Sequence, residues 1–402
     1  MANNTSVSPI SPISPVMATY GRFPVTLVKG KGSYVWDDQG IKYLDFTSGI
    51  ATCNLGHVPD VVKAKLEEQL QSLWHCSNLY HIPNQQELAG LLTENSCGAQ
   101  VFFCNSGAEA NEAAIKLARR YAQKIKGTDS FEVVTFQQSF HGRTLATLSA
   151  TGQEKIQQGF APLVKGFSYF PFNDIDALNQ LDVIKPAAVL LELVQGEGGV
   201  IPADTEWVKK LAAICEEKDI LLMVDEIQTG IGRTGSLFAY QQYGIEPDVI
   251  SIAKGLGSGF PIGAIIAKEK AAKAFEPGTH GSTFGGNPLA TAAGVATISH
   301  IVESDLLNQV NEISIYLDQQ LEQLKEKYTF IKNIRGKGLL KGLVMDTDVL
   351  NIVKKAIEKQ LLILTAGPNV VRILPPLTVT KEEINEFILK LEETFQSIEK
   401  GE

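Results

Sequence analysis

Between residues 100 and 267 the chain alternates short, almost wholly apolar runs with helical stretches, and that alternation constrains the fold more than any other feature. QVFFCN (100–105), EVVTF (132–136), AAVLLELV (187–194), ILLMVDE (220–226), DVISIAK (248–254) and GAIIA (263–267) read as buried strands. SGAEANEAAIKLARRYAQKI, directly after the first run, and WVKKLAAICEEK (207–218) read as helices. Apolar strands separated by helices belong to an α/β domain with a mainly parallel, doubly covered sheet. Gly30 to Phe46 reads as a small antiparallel element, and Val58 to Leu73 and Gln85 to Leu92 as helical. After about residue 300 a long amphipathic helix, short strands (IRGKGLLKGLVM, VVRILPP) and a last helix read as an α+β unit. The expected boundaries are 1–20 for a Ser-Pro-rich extended or disordered arm and 21–57 for a segment joining the small domain. A large domain then covers 58–300, and the small C-terminal domain covers 301–402.

Composition removes several function classes. The net charge of −9 argues against a general nucleic-acid binder. Five cysteines, Cys53, Cys76, Cys97, Cys104 and Cys215, form no CxxC spacing, so neither a disulfide framework nor a zinc site is expected. They read as packing residues in a reducing compartment. No helical histidine pair is present, and no metal is expected. No apolar run reaches the roughly 18 residues of a membrane span. The stretch before Arg22 has no basic residue and no apolar core, which fits neither a secretory signal nor a transit peptide, so a cytoplasmic location is expected.

Ligands of an open parallel sheet bind beyond the carboxyl ends of its strands. Three such ends carry polar groups here: Asn105-Ser106-Gly107-Ala108, Asp225-Glu226-Ile227-Gln228 and Lys254. The Ser106-Gly107-Ala108 turn opens a helix whose free N–H groups suit a phosphate. Taken alone, Ser106 reads as a helix cap. A lysine ending an apolar strand loses charge on burial and becomes a Schiff-base nucleophile. Taken alone, Lys254 is equally a sheet-edge residue reaching solvent, and Asp225 a helix cap. Together they suit pyridoxal phosphate (PLP), whose pyridinium nitrogen requires an anionic partner. GLGSGF after Lys254 fails the dinucleotide pattern at Phe260, and no Walker A sequence occurs.

Five segments together resemble the class III PLP-dependent aminotransferases. They are Ser106 to Glu112 (SGAEANE), Phe140 to Arg143 (FHGR), Asp225 to Arg233 (DEIQTGIGR), Ala253-Lys254-Gly255, and Gly281 to Pro288 (GSTFGGNP). The likeness covers almost the whole chain after about residue 20. It implies the fold-type-I, aspartate aminotransferase-like architecture and a homodimer with shared active sites. It further implies that Ser106, Gly107 and Ala108 hold the phosphate, that Phe140 stacks on the ring, and that Asp225 meets the ring nitrogen. Glu226, Ile227 and Gln228 line the cofactor, with Gln228 near the ring hydroxyl, and Lys254 carries the cofactor covalently. Thr283 reaches the phosphate of the neighbouring subunit, and Ser282 lies near the substrate. Arg143 resembles the arginine that holds a distal carboxylate, and Arg372 the one that holds an α-carboxylate. Glu192 resembles the glutamate paired with Arg372 when the oxo acid is absent. Glu192-Leu193-Val194-Gln195-Gly196-Glu197 departs from the usual pattern by having Leu193 where many relatives have proline. His141 reads either as structural or as part of the cofactor pocket.

Within the class, LWHCSNLYHIPNQQELA (73–89) and TAGPNVVRILPPL (365–377) resemble members that transaminate N-acetylornithine, implying that donor and 2-oxoglutarate as acceptor. Alternatives are ornithine, succinylornithine, 4-aminobutyrate or succinyl-diaminopimelate as donor. More distant ones are amino-acid decarboxylation, racemisation, or a non-catalytic PLP-fold binding protein.

Overall fold

The computed structural model describes residues 15–400, so most of the expected N-terminal arm lies outside the described residues. The chain enters through an antiparallel ribbon of β1 (Leu27–Lys31), β2 (Tyr34–Asp37) and β3 (Lys42–Asp45). Two helices follow, α1 (Asp60–Leu70) and α2 (Pro83–Glu94).

The large sheet is then built from β4 (Gln100–Cys104), β5 (Val133–Phe136), β6 (Phe167–Phe170), β7 (Ala188–Glu192), β8 (Leu221–Asp225), β9 (Val249–Ile252) and β10 (Gly263–Ala267). Their spatial order is β4-β10-β9-β8-β7-β5-β6, and only β10 runs antiparallel to its neighbours. Strands β5, β7, β8, β9 and β10 are buried at every position, which explains their unbroken apolar sequences.

Helix α3 (Gly107–Arg120) lies on β9 and β10 with Ala110, Ala113, Ala114 and Leu117 buried, and the three small alanines let it approach the sheet closely. Helix α4 (Thr205–Glu217) starts where the Asp204 side chain accepts from the Trp207 N–H. Trp207 then packs edge-on against Phe136 and Phe172. Helix α5 (Pro288–Glu303), which carries no clear polar face, is buried against α1 and α2.

The C-terminal part contains α6 (Leu306–Lys327), β11 (Ile331–Lys337), β12 (Leu340–Met345), α7 (Val349–Glu358), β13 (Leu361–Leu362), β14 (Leu364–Thr365), β15 (Val370–Ile373) and α8 (Lys381–Glu399). Strands β11, β12, β15 and β14 form an antiparallel sheet in that order, whereas β13 pairs with β3. The N-terminal ribbon is thereby joined to the C-terminal part.

Candidate active site

The carboxyl ends of β4, β7, β8 and β9 surround a cavity of about 430 Å³. Ser106, Gly107, Ala108, Phe140, Arg143, Glu192, Asp225, Ile227, Gln228 and Lys254 all line it. The register sets Asp225 beside Glu192 on one side and Ser251 on the other, with Lys254 three residues further along β9's path.

Asp225 is buried and held from both oxygens. Its Oδ2 accepts from Asn111 Nδ2 at 2.7 Å and meets His141 Nδ1 at 2.8 Å, while Oδ1 accepts from the Ile227 N–H at 3.0 Å. A carboxylate can only accept, so Nδ1 of His141 is the donor here, and His141 itself also lines the cavity. Three partners around one carboxylate fix its position and orientation at the end of β8.

Lys254 is part-buried, its remaining surface turned to the cavity. It has a left-handed backbone (φ 43°), a conformation uncommon outside glycine and characteristic of functional sites. Burial, and secondarily the positive charge of Arg372, push its ammonium below the ordinary lysine range. An amine in this setting is available as a nucleophile or base.

The α3 terminus forms an anion cradle. Ser106 caps the helix by accepting from the Glu109 N–H, and the Gly107 and Ala108 amides meet no acceptor among the described residues. A Cβ on Gly107 would lie 2.9 Å from the Ile227 side chain, so only glycine fits the close approach. Arg143 is exposed at the cavity rim, 5.6 Å over the Phe140 ring, and makes no ion pair among the described residues.

Two expectations need correction. Glu192 does not pair with Arg372. It accepts from the Phe140 and Gly196 N–H groups at 2.9 and 3.3 Å, and burial plus the nearby Asp225 charge raise its carboxyl well above the usual range. The chain turns at Gly196, and Glu197 instead reaches Arg372, with Oε1 2.5 Å from Nη1. Arg372 is 2% exposed and also donates to Gln228 Oε1 at 3.2 Å. Leu193 sits in this turn fully buried, its carbonyl accepting from Ala203 N–H and Tyr243 OH.

The second correction concerns Glu226. Adjacent residues at a strand end point to opposite faces, and Glu226 turns away from the cavity. It accepts from Thr229 Oγ1 and the Tyr240 N–H. Ser282 and Thr283 also stay outside this chain's cavity. Ser282 accepts from Asn105 Nδ2 at 3.1 Å, and Thr283 is exposed.

Sequence reasoning missed Asn111 and Glu197. Asn111 was visible as an amide among alanines on the buried face of α3, four residues after Gly107.

Residues 16–395 match the family described as aminotransferase class-III. The chain belongs to the class III aminotransferases. It is 61% identical to an acetylornithine aminotransferase of Oceanobacillus iheyensis over 393 residues, 98% of this chain and 97% of that one. Among solved structures it resembles the ornithine aminotransferase of Toxoplasma gondii ME49 with a TM-score of 0.92, 33% identity and coverage of 96% and 94%. It also resembles N-acetylornithine aminotransferase from Stenotrophomonas maltophilia K279a with a TM-score of 0.83, 37% identity and coverage of 95% and 98%.

This class of transaminases uses pyridoxal phosphate, and the residues of the cavity fit it. Two unpartnered amides and a glycine suit its phosphate, a fixed carboxylate suits its ring nitrogen, and a depressed lysine suits its aldehyde.

Proposed function

We propose that the chain moves the terminal amino group of N-acetylornithine to 2-oxoglutarate, yielding N-acetylglutamate 5-semialdehyde and glutamate, a step of arginine biosynthesis in the cytoplasm. The observation that carries this reading is a buried arginine already neutralised by Glu197 beside a cavity that holds Lys254 and Asp225. A terminal amine has no carboxylate on its reacting carbon, whereas 2-oxoglutarate does. A bare Arg372 would be a costly unpaired charge in the first half-reaction. It would also draw the donor's own carboxylate to the wrong place. Glu197 answers both problems, and it swings aside when the oxo acid brings its α-carboxylate.

The remaining roles follow from position. Ser106, Gly107 and Ala108 bind phosphate, Phe140 covers the ring, and Ile227 and Gln228 support it. Asp225 keeps the ring nitrogen protonated. Bound there, the cofactor supplies an electron sink for the pair left when a proton leaves the donor's amine-bearing carbon. Lys254 would anchor the cofactor and, when free, its amine would carry that proton as base and acid. Arg143 holds the distal carboxylate that both substrates possess.

The same reading includes a homodimer. Trp74, Leu79, Tyr80 and Phe284 are large apolar side chains exposed on the single chain. Asn78 ties the first group to the Ser282–Gly285 loop, and His75 touches Phe284. Such a patch calls for a cover, and a second copy would bring the partner subunit's Thr283 to the phosphate. The division into units at about residues 57 and 300 belongs to this reading as well, supported by the pairing of β3 with β13.

A panel of amine donors with 2-oxoglutarate, read as glutamate formed, tests the proposal. N-acetylornithine should give the highest kcat/KM. A preference for ornithine, succinylornithine, succinyl-diaminopimelate or 4-aminobutyrate would replace the donor, and release of CO2 would replace the reaction class.

A further inference from the structure

Arg233, eight residues beyond Asp225, is fully buried and has no carboxylate partner among the described residues. Burial pushes its guanidinium down to about 9. Enclosing an unpaired cation is expensive, and a neutral side chain would avoid the cost. What a guanidinium offers in return is a rigid planar fork that meets several acceptors at once.

The acceptors come from three separate parts of the chain. Nη1 donates to the Leu339 carbonyl at 3.1 Å and to the Pro375 carbonyl, and Nη2 donates to Asn54 Oδ1 at 3.0 Å. Leu339 lies in the turn between β11 and β12, and its N–H returns a 2.9 Å bond to the Arg233 carbonyl. Pro375 lies three residues past Arg372, just beyond β15. Asn54 donates to the Ile231 carbonyl at 2.7 Å and accepts from the Leu377 N–H at 2.7 Å. The Asn54 amide fills the space that a Cβ on Gly255 would need, directly beside Lys254. One guanidinium therefore connects the segment carrying Arg372 to the turn carrying Lys254.

We propose that Arg233 is a positioning residue that fixes Arg372 relative to Lys254, so that the oxo-acid half-reaction depends on it more than the amine-donor half does. The proposal rests on the functional reading above, in which Arg372 engages substrate only in the oxo-acid half. Small displacements of a binding group have large kinetic effects. A lysine at position 233 keeps the charge but loses the fork.

The test uses the full chain loaded with PLP and single-turnover stopped-flow absorbance of each half-reaction. Arg233→Lys should raise the 2-oxoglutarate concentration for half-maximal rate by on the order of tenfold or more. The amine-donor half should stay within about threefold of wild type. Asn54→Ser removes one acceptor and reads the same joint if the first variant folds poorly. It should show the same asymmetry in smaller degree. Equal losses in both halves, or no change in either, overturn the proposal. A wild-type chain that reacts with the donor but never with 2-oxoglutarate sinks the functional reading itself and this inference with it.

Discussion

Replacing Glu197 by glutamine separates the two half-reactions. Arg372 is 2% exposed and Glu197 31%, and their closest atoms are 2.5 Å apart. Unit charges about 4 Å apart attract by roughly 4 kcal/mol at an effective dielectric near 20. Partial exposure of Glu197 reduces that to about 1–3 kcal/mol. In Glu197→Gln this attraction no longer opposes the α-carboxylate of glutamate. The bare Arg372 instead competes with Arg143 for the single carboxylate of N-acetylornithine. The ratio of glutamate to N-acetylornithine single-turnover rates should therefore rise about 10- to 100-fold, at 1.4 kcal/mol per tenfold. Each amine is mixed separately with the PLP-loaded variant in a stopped-flow spectrophotometer. A ratio within twofold of wild type would refute the switch and leave Arg372–Glu197 as a structural pair.

Asp225→Ala should lower kcat by on the order of 10²-fold or more, with Asp225→Glu retaining more activity; a near-normal single-turnover rate in the alanine variant contradicts its role at the ring nitrogen. Arg143→Ala should weaken both half-reactions, because both substrates carry a distal carboxylate, and a loss confined to one half would remove that role. Glu226 offers a pH test, since burial raises its carboxyl to about 7. Between the unfolded value of 4.5 and that value the folded chain holds the extra proton, so this group's contribution to stability falls as pH rises through the window. The difference is about 3 kcal/mol. The stability gap between wild type and Glu226→Gln, followed by chemical denaturation from pH 5 to 8, should shift toward the variant as pH rises; a constant gap contradicts the assignment.

Strand ends were legible because polar residues that follow apolar runs gather at one edge of a parallel sheet, and that rule brings Lys254, Asp225 and Gly107 to one cavity. Their arrangement required the sheet order, which puts β8 beside β9 and β7. Glu192 and Glu197 were not separable in sequence, since either carboxylate of that segment could face Arg372. The turn at Gly196 decides between them, and no local pattern encodes its direction. Glu226 was misassigned for a related reason, since neighbouring strand-end residues diverge to opposite faces. Helix α5 escaped detection because it is apolar nearly all round, and burial on every side erases the periodicity that reveals a surface helix. Asn54 and Arg233 lie 179 positions apart, and only the fold brings them together.

Borohydride reduction of the PLP-loaded chain, followed by proteolysis and mass mapping, asks whether Lys254 carries the chemistry. The cofactor-modified peptide should contain Lys254, and Lys254→Ala should lose both the label and turnover while still binding PLP through the phosphate cradle. Label on any other lysine, or turnover surviving in Lys254→Ala, would contradict it.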